Sequence, residues 1–261
     1  MTELPHDLAE SVAAVLRRAA TRCLETRESL ARVVEERGRD IKLVADRELE
    51  AELSRELRML MPLPVFGEEG GWSEQPRSAD DMYWTIDPLD GSYNYRRGQP
   101  AFCSAVAVCR ARTPLFGAVH DIASGDCYLG GIDLPATCNG RPIAISGIGS
   151  RNEACLMTGL PVGGGFDRQA MGRLAEGLSG WRKVRMIGSA ALSLMHVASG
   201  RADFYREDGI YWWDVAAGLA IVTAAGGDFE VRGGSEPAAP LFVAAGSRQL
   251  LRDAGAAGTG R

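Results

Sequence analysis

Apolar positions recur at three- and four-residue steps over residues 7 to about 36: Leu8, Val12, Val15, Leu16, Ala19, Cys23, Leu30 and Val34. That is the period of a long amphipathic helix, and Gly38 ends it. A short extended piece over 41–44 follows. The next stripe, Leu49, Leu53, Leu57 and Leu60, predicts a helix over 46–61 stopped by Pro62 and Pro64. Val65, Phe66 and Gly67 read as a short strand. Residues 73–82 are polar and read as a surface loop in which Asp80 and Asp81 are solvated charge. Tyr83 to Ile86 are aromatic or β-branched, the composition of a buried strand. An alternating run over 102–108, then 115–120 and 127–129, follow at hairpin spacing, so the first sheet is expected to be largely antiparallel. Asn139-Gly140 marks a tight hairpin turn before a strand over 142–146.

From about residue 147 strands and helices alternate: strand 153–158, helix 166–178, strand 181–186, helix 189–198 and strand 202–206. Trp212 or Trp213 opens a long helix that runs to 225 and ends at Gly226-Gly227. A strand over 241–245 and a short helix close the pattern. Residues 255–261 hold no core-forming side chain and are expected to be disordered. The pattern predicts one α+β domain over 1–254, with an N-terminal α+β half (1–146) and a C-terminal α/β half (147–254), layered α-β-α-β-α.

The strand at 83–86 ends on a carboxylate, Asp87, and Pro88 then fixes φ and removes a backbone donor. Asp90 follows, and then Gly91-Ser92, whose N–H groups sit where a helix or tight turn begins and so attract anions. Carboxylates beside an anion-binding turn need a cation between them and the anion. The reading is a divalent-metal site that receives a phosphate. The plainer alternative is a pair of Asx turns capping a loop. Two flanking motifs favour the metal: Gly67-Glu68-Glu69-Gly70-Gly71 upstream and Trp213-Asp214-Val215-Ala216-Ala217-Gly218 downstream.

Together and in this order, the three motifs resemble the inositol monophosphatase family of magnesium-dependent, lithium-sensitive phosphatases. That family's pattern is Gly-Glu-Glu, then Asp-Pro-Ile-Asp-Gly-Thr, then Trp-Asp opening a helix that ends in Ala-Gly-Gly. The resemblance covers most of the chain and implies a sandwich of the inositol monophosphatase and fructose-1,6-bisphosphatase type. It also implies two or three Mg2+ ions and a homodimer. Residue by residue, it places Glu68, Asp87 and the Leu89 carbonyl at a first metal, and Asp87, Asp90 and Asp214 at a second. Glu69 falls outside that set. Ser92 replaces the usual threonine, keeping the hydroxyl and losing the methyl that restricts its rotamer. The resemblance implies that Ser92 orients a metal-activated water, polarised by Asp46 or by Glu68, while the Gly91 and Ser92 N–H groups hold the phosphate. Asp46 lies in Lys42-Leu43-Val44-Ala45-Asp46, shorter than the family's Leu-Val-Thr-x-x-Asp, and helix capping competes for its role. Substrate contacts are implied for Asp90, for Gly188 and Ala190 of the Gly188-Ser189-Ala190-Ala191 turn, and for Glu207, seven residues before Asp214. As a plain reading, Glu207 is a solvated loop acid.

Composition narrows the partners. The 261 residues carry a net charge of −5 with no basic run, so no nucleic acid is expected. No apolar stretch approaches the ~20 residues of a membrane span, and the first residues lack the basic-then-apolar pattern of a signal peptide. Six scattered cysteines with no Cys-x-x-Cys pair suit a reducing cytoplasm. Of 29 basic residues only Lys42 and Lys183 are lysines, a bias that says little about chemistry. His6, His120 and His196 have no partner spacing and read as structural; the five tryptophans read as core. The expected function is hydrolysis of inositol monophosphate or a related cyclitol or polyol phosphate. Histidinol phosphate, fructose 1,6-bisphosphate and 3′-phosphoadenosine 5′-phosphate are the alternatives within the family, and the absence of clustered basic residues lowers the two bisphosphates. The alternative of another class is a non-catalytic homologue that binds metal or phosphate.

Overall fold

The computed structural model of the chain describes residues 4–37, 40–160, 168–234 and 238–258. Helix α1 (Leu8–Glu25) buries the predicted stripe from Leu8 to Cys23. It stops at Thr26, whose hydroxyl bonds back to the Arg22 carbonyl at 2.7 Å, and a single turn, α2 (Arg27–Leu30), follows. Strands β1 (Val33–Arg37) and β2 (Asp40–Leu43) then pair as an antiparallel hairpin. The helix expected to reach residue 36 is thus cut short. Val34, the stripe's last member, is 45% exposed, so burial no longer rewards the helical period and strand pairing takes over. Gly38 lies outside the described residues.

Strand β2 passes directly into α3 (Val44–Leu60), which buries Leu49, Leu53 and Leu57. Next come β3 (Val65–Gly67), β4 (Gly71–Trp72), β5 (Met82–Asp90) and a short helix α4 (Ser92–Arg97). Then follow β6 (Cys103–Arg110), β7 (Thr113–Asp121), β8 (Cys127–Gly131), β9 (Leu134–Cys138) and β10 (Arg141–Pro142). They form an eight-stranded sheet in the order β10-β9-β8-β7-β6-β5-β3-β4. It is antiparallel except where β3 runs parallel to β5. The Asn139-Gly140 turn is present, both residues at positive φ, but it joins the unexpected β9 to a two-residue β10 in place of a strand over 142–146.

The second half holds β11 (Cys155–Met157), α5 (Arg168–Leu178), β12 (Lys183–Arg185), α6 (Ala190–Ala198) and β13 (Phe204–Ile210). It ends with α7 (Trp212–Ala224), β14 (Asp228–Gly233), β15 (Leu241–Gly246) and α8 (Arg248–Gly258). The five-stranded sheet has the order β12-β11-β13-β15-β14 and mixes parallel with antiparallel pairs. Strand β14 was not expected, and α8 carries residues 255–258, assigned above to a disordered tail, into its last turn. Residues 166 and 167, the expected start of α5, lie outside the described ones, as do 259–261.

Three apolar clusters set the layers. Helices α1 and α3 cover one face of the large sheet. Helices α6 and α7 fill the space between the sheets, and α8 with the end of α5 covers the far face of the small sheet. This is the expected α-β-α-β-α sandwich. Helix α7 approaches β7 so closely that a Cβ on Gly117 would lie 2.2 Å from the Ala217 carbonyl oxygen. Among the described residues no helix is long and apolar enough to cross a membrane.

Candidate active site

Strand β5 delivers the central turn. Its pairing with β6 slips between Asp87 and Asp90, the irregularity Pro88 imposes on a sheet. Asp87 is buried and accepts the Leu89 N–H at 3.1 Å. Gly91 takes φ 88°, and a Cβ there would meet the Ala101 carbonyl at 2.5 Å, so only glycine lets the chain turn into α4. Ser92 opens that helix. Its hydroxyl lies 2.7 Å from Asp46 Oδ1 and 2.8 Å from the Leu89 carbonyl. The other Asp46 oxygen accepts the Leu43 N–H at 2.5 Å. Both readings of Asp46 therefore hold: one oxygen caps α3 and the other meets the serine. Glu68 makes no such bond to Ser92 among the described contacts.

The Gly67–Gly71 loop is shaped by a residue the motifs did not single out. Glu50, buried on α3, accepts the Glu69 N–H at 2.8 Å and the Gly70 N–H at 2.7 Å. A Cβ on Gly67 would stand 2.4 Å from the Glu50 carboxyl carbon, so glycine here lets the carboxylate reach the loop. The loop places Glu68 in the same cavity as Asp87. The Lys42 ammonium pairs with Glu68 and, at 2.7 Å, with Glu69.

The second half closes over this turn. Asp90 Oδ2 accepts the Ser189 hydroxyl at 2.6 Å and the Ala191 N–H at 2.7 Å, at the start of α6. The Asn94 amide donates to the Ala101 and Ile187 carbonyls, each at 2.8 Å, and fastens the turn before Ser189. Asp214 sits in the first turn of α7 and accepts the Tyr211 N–H at 2.9 Å. Glu207 lies on β13, 8% exposed, and accepts the Tyr205 hydroxyl at 3.0 Å. The solvated-loop reading of Glu207 is excluded.

One cavity of about 580 Å³ is lined by Glu68, Asp87, Leu89, Asp90, Gly91, Ser92, Gly188, Ala190, Glu207 and Asp214. Asp46 stands behind Ser92. A larger groove, about 780 Å³, runs past Pro62, Glu74, Arg77 and Arg110 and holds none of these residues; size does not identify the site. Sequence reasoning missed Lys42, Glu50 and Asn94, and also the Tyr211–Trp213 stack on the cavity wall, with centroids 4.9 Å apart. The one available signal was the rarity of lysine.

Burial sets the electrostatics. It raises the Asp87 carboxyl well above the ordinary range, and repulsion from Glu68, Asp90 and Asp214 adds to it. Asp214 is raised well above that range by burial and then by Glu68 and Asp90. Burial raises Glu68 against the opposing charge of Lys42. Asp90 is pushed up to about 6 by burial, tempered by the Ser189 and Ala191 hydrogen bonds. Asp46 rises to about 7 through burial and then Glu68. Glu207 also rises to about 7 through burial. Among the described residues no three His, Cys, Asp or Glu side chains stand in finished ligating geometry. The donor set is nonetheless all hard oxygen, held together against its own repulsion, and that chemistry fits a divalent cation of the Mg2+ kind.

A family model described as the inositol monophosphatase family matches residues 1–256. An inositol-1-monophosphatase of Synechocystis is 34% identical over 209 residues, 74% of this chain and 68% of that protein. The Nus factor SuhB of Xylella fastidiosa is 34% identical over 197 residues, 75% of this chain and 70% of that protein. Among solved structures, Mycobacterium tuberculosis SuhB aligns with a TM-score of 0.81 at 28% identity, covering 98% of this chain and 97% of that one. The inositol monophosphatase of Anabaena aligns with a TM-score of 0.78 at 27% identity, covering 95% and 94%.

Proposed function

The chain belongs to the inositol monophosphatase family, a family of metal-dependent phosphoric monoester hydrolases, and we propose that it hydrolyses inositol monophosphate or a related cyclitol or polyol phosphate with Mg2+. The observation that carries this reading is the meeting, in one cavity, of the four acids, the Ser92 turn and a buried Glu207. In it, Glu68, Asp87 and the Leu89 carbonyl would hold one ion, and Asp87, Asp90 and Asp214 would hold a second. Bound divalent ions neutralise phosphoryl charge and make water acidic enough to attack at neutral pH.

The chain's own groups do the rest. Ser92 accepts a hydrogen bond from the attacking water and donates its own proton to Asp46, 2.7 Å away. That relay fixes the direction of attack and gives the proton a carboxylate to move toward. Backbone N–H groups of Gly91 and Ser92 receive phosphate oxygens. Glu207 and Asp90 face the ring hydroxyls, with Gly188 and Ala190 shaping the wall beside them. The Tyr211–Trp213 stack offers a flat apolar surface to the C–H face of a ring.

Among the described residues lining the cavity Lys42 is the only cation, which disfavours a second phosphate and hence the two bisphosphate substrates. Inhibition by lithium, a homodimer and a cytoplasmic location belong to the same proposal and rest on family membership. A phosphate-release screen over inositol, sugar, nucleotide and histidinol phosphates, with and without Mg2+, tests it. Preference for a cyclitol or polyol ester supports the reading. Release from no ester would overturn it in favour of a non-catalytic binding homologue.

A further inference from the structure

A lysine stands inside this ring of acids. The Lys42 side chain is 12% exposed, its ammonium pairs with Glu68 Oε1 and Glu69 Oε1, and it lines the same cavity as Asp87, Asp90 and Ser92. Its placement follows from the local chain. Strand β2 runs into α3 with no intervening loop, because only Val44 and Ala45 separate Leu43, the N-cap, from Asp46. Asp46 fixes the Leu43 N–H, and Lys42, across the hairpin from Glu35, is the residue just before it. The short segment leaves Lys42 against the Glu68 loop.

Two neighbours define what that ammonium can do. Glu69 is held on both oxygens, by Lys42 and, at 3.7 Å, by Arg47 Nε, which occupies it with cations supplied by the protein. Glu68 is a different case, because its carboxylate is shared between Lys42 and the Asp87 cluster. An ammonium at Glu68 Oε1 repels any second cation that approaches the same oxygen, and burial keeps that repulsion strong. It also does part of a metal's work, since it brings a permanent positive charge to the wall beside the phosphate turn.

Building on the metal-site reading above, we propose that Lys42 is a resident cation of the active site. It holds Glu68 Oε1 and Glu69 in place of one dissociable metal ion, so the chain loads two divalent ions where a lysine-free site of the same acids loads three. Lys42 acts through Glu68 and is a positioning residue.

The test counts ions. Metal-free full-length chain is titrated with Mn2+ in the presence of inorganic phosphate, and free Mn2+ is followed by electron paramagnetic resonance. Wild type, Lys42→Gln and Lys42→Arg are compared, with thermal melting to confirm folding. Two Mn2+ per chain in wild type and in Lys42→Arg, and three in Lys42→Gln, is the expected result. Three in wild type, or no gain in Lys42→Gln, overturns the proposal. Lys42→Met, which keeps the apolar stem, supplies the same count if the Gln variant melts early. The two readings fail separately. A wild type that binds two Mn2+ but releases phosphate from no ester ends the phosphatase reading and leaves the role of Lys42 intact. An active enzyme whose ion count ignores residue 42 does the reverse.

Discussion

The Ser92 hydroxyl and Asp46 Oδ1 lie 2.7 Å apart, joining residues 46 positions apart in the chain. In the proposed mechanism this hydroxyl orients water and does not hold the cation. Ser92→Ala and Asp46→Asn should each lower kcat by roughly 10²–10⁴, with Mn2+ affinity and KM little changed. Because the two act as a unit, the double variant should lose scarcely more than either single one. Ser92→Thr should stay active. Steady-state kinetics beside Mn2+ titration checks all of this, and a phosphoserine trapped at position 92 would replace direct attack by water with covalent catalysis.

Asp46, Asp90 and Glu207 keep their protons in the metal-free fold to about 7, about 6 and about 7. In the unfolded chain such carboxyls ionise near pH 4. Between those limits the folded state binds more protons than the unfolded one, so stability falls as pH rises. In EDTA the protein should therefore melt at a higher temperature near pH 5 than near pH 8. Saturating Mg2+ should flatten that slope, because a bound cation favours the ionised acids. Thermal melting across this range settles it; a metal-free Tm that climbs with pH would show that burial does not hold these acids protonated.

Glu50 should prove to be a support of the metal loop. Glu50→Ala leaves the part-buried Glu69 and Gly70 N–H groups without their acceptor, a loss of about 1–3 kcal/mol. Chemical denaturation should show that loss, and Mn2+ binding should weaken because Glu68 is no longer aimed. Unchanged Mn2+ affinity in a destabilised Glu50→Ala would confine Glu50 to the fold.

The parts legible in the sequence were those where chemistry sits at an element's end. Asp87, Asp90 and Ser92 surround a proline-glycine turn, and Asp214 opens a helix, so residue type and position point the same way. Glu50 was invisible because a glutamate on an amphipathic helix reads as solvent-facing, and only the approach of Gly67 buries it. The plain alternative for Glu207, a solvated loop acid, stays open on the sequence alone because Asp208-Gly209 resembles a turn. The structure makes of it a bulge within β13, with Gly209 at φ 81° and the register slipping between Asp208 and Ile210. Strand β1 was mistaken for helix because Val34 extends the three-four spacing, while its pairing with β2 depends on a partner beyond Gly38. Lys42 carried a compositional signal but no motif; its contact with Glu68 is tertiary.

In the proposed reading substrate choice turns on Glu207. Its carboxylate is buried, borders the cavity, and takes one hydrogen bond from the Tyr205 hydroxyl, and its remaining acceptor capacity suits substrate hydroxyls. A charge-assisted hydrogen bond to a ring hydroxyl contributes about 1.5–3 kcal/mol. Glu207→Ala should lower kcat/KM for a cyclitol phosphate by roughly ten- to a hundredfold. A nitrophenyl phosphate offers no hydroxyls there, so its hydrolysis should hardly change. Metal content should also be unchanged, because Glu207 is outside the proposed ligand set. Tyr205→Phe separates positioning from contact: it leaves the carboxylate but frees its rotamer, and should cost the cyclitol ester less than Glu207→Ala. Equal losses on both esters would mean that Glu207 supports the metal site or the fold. No loss on either would remove the cyclitol from the reading and leave a phosphatase whose leaving group is chosen elsewhere, with the Tyr211–Trp213 stack the next surface to probe.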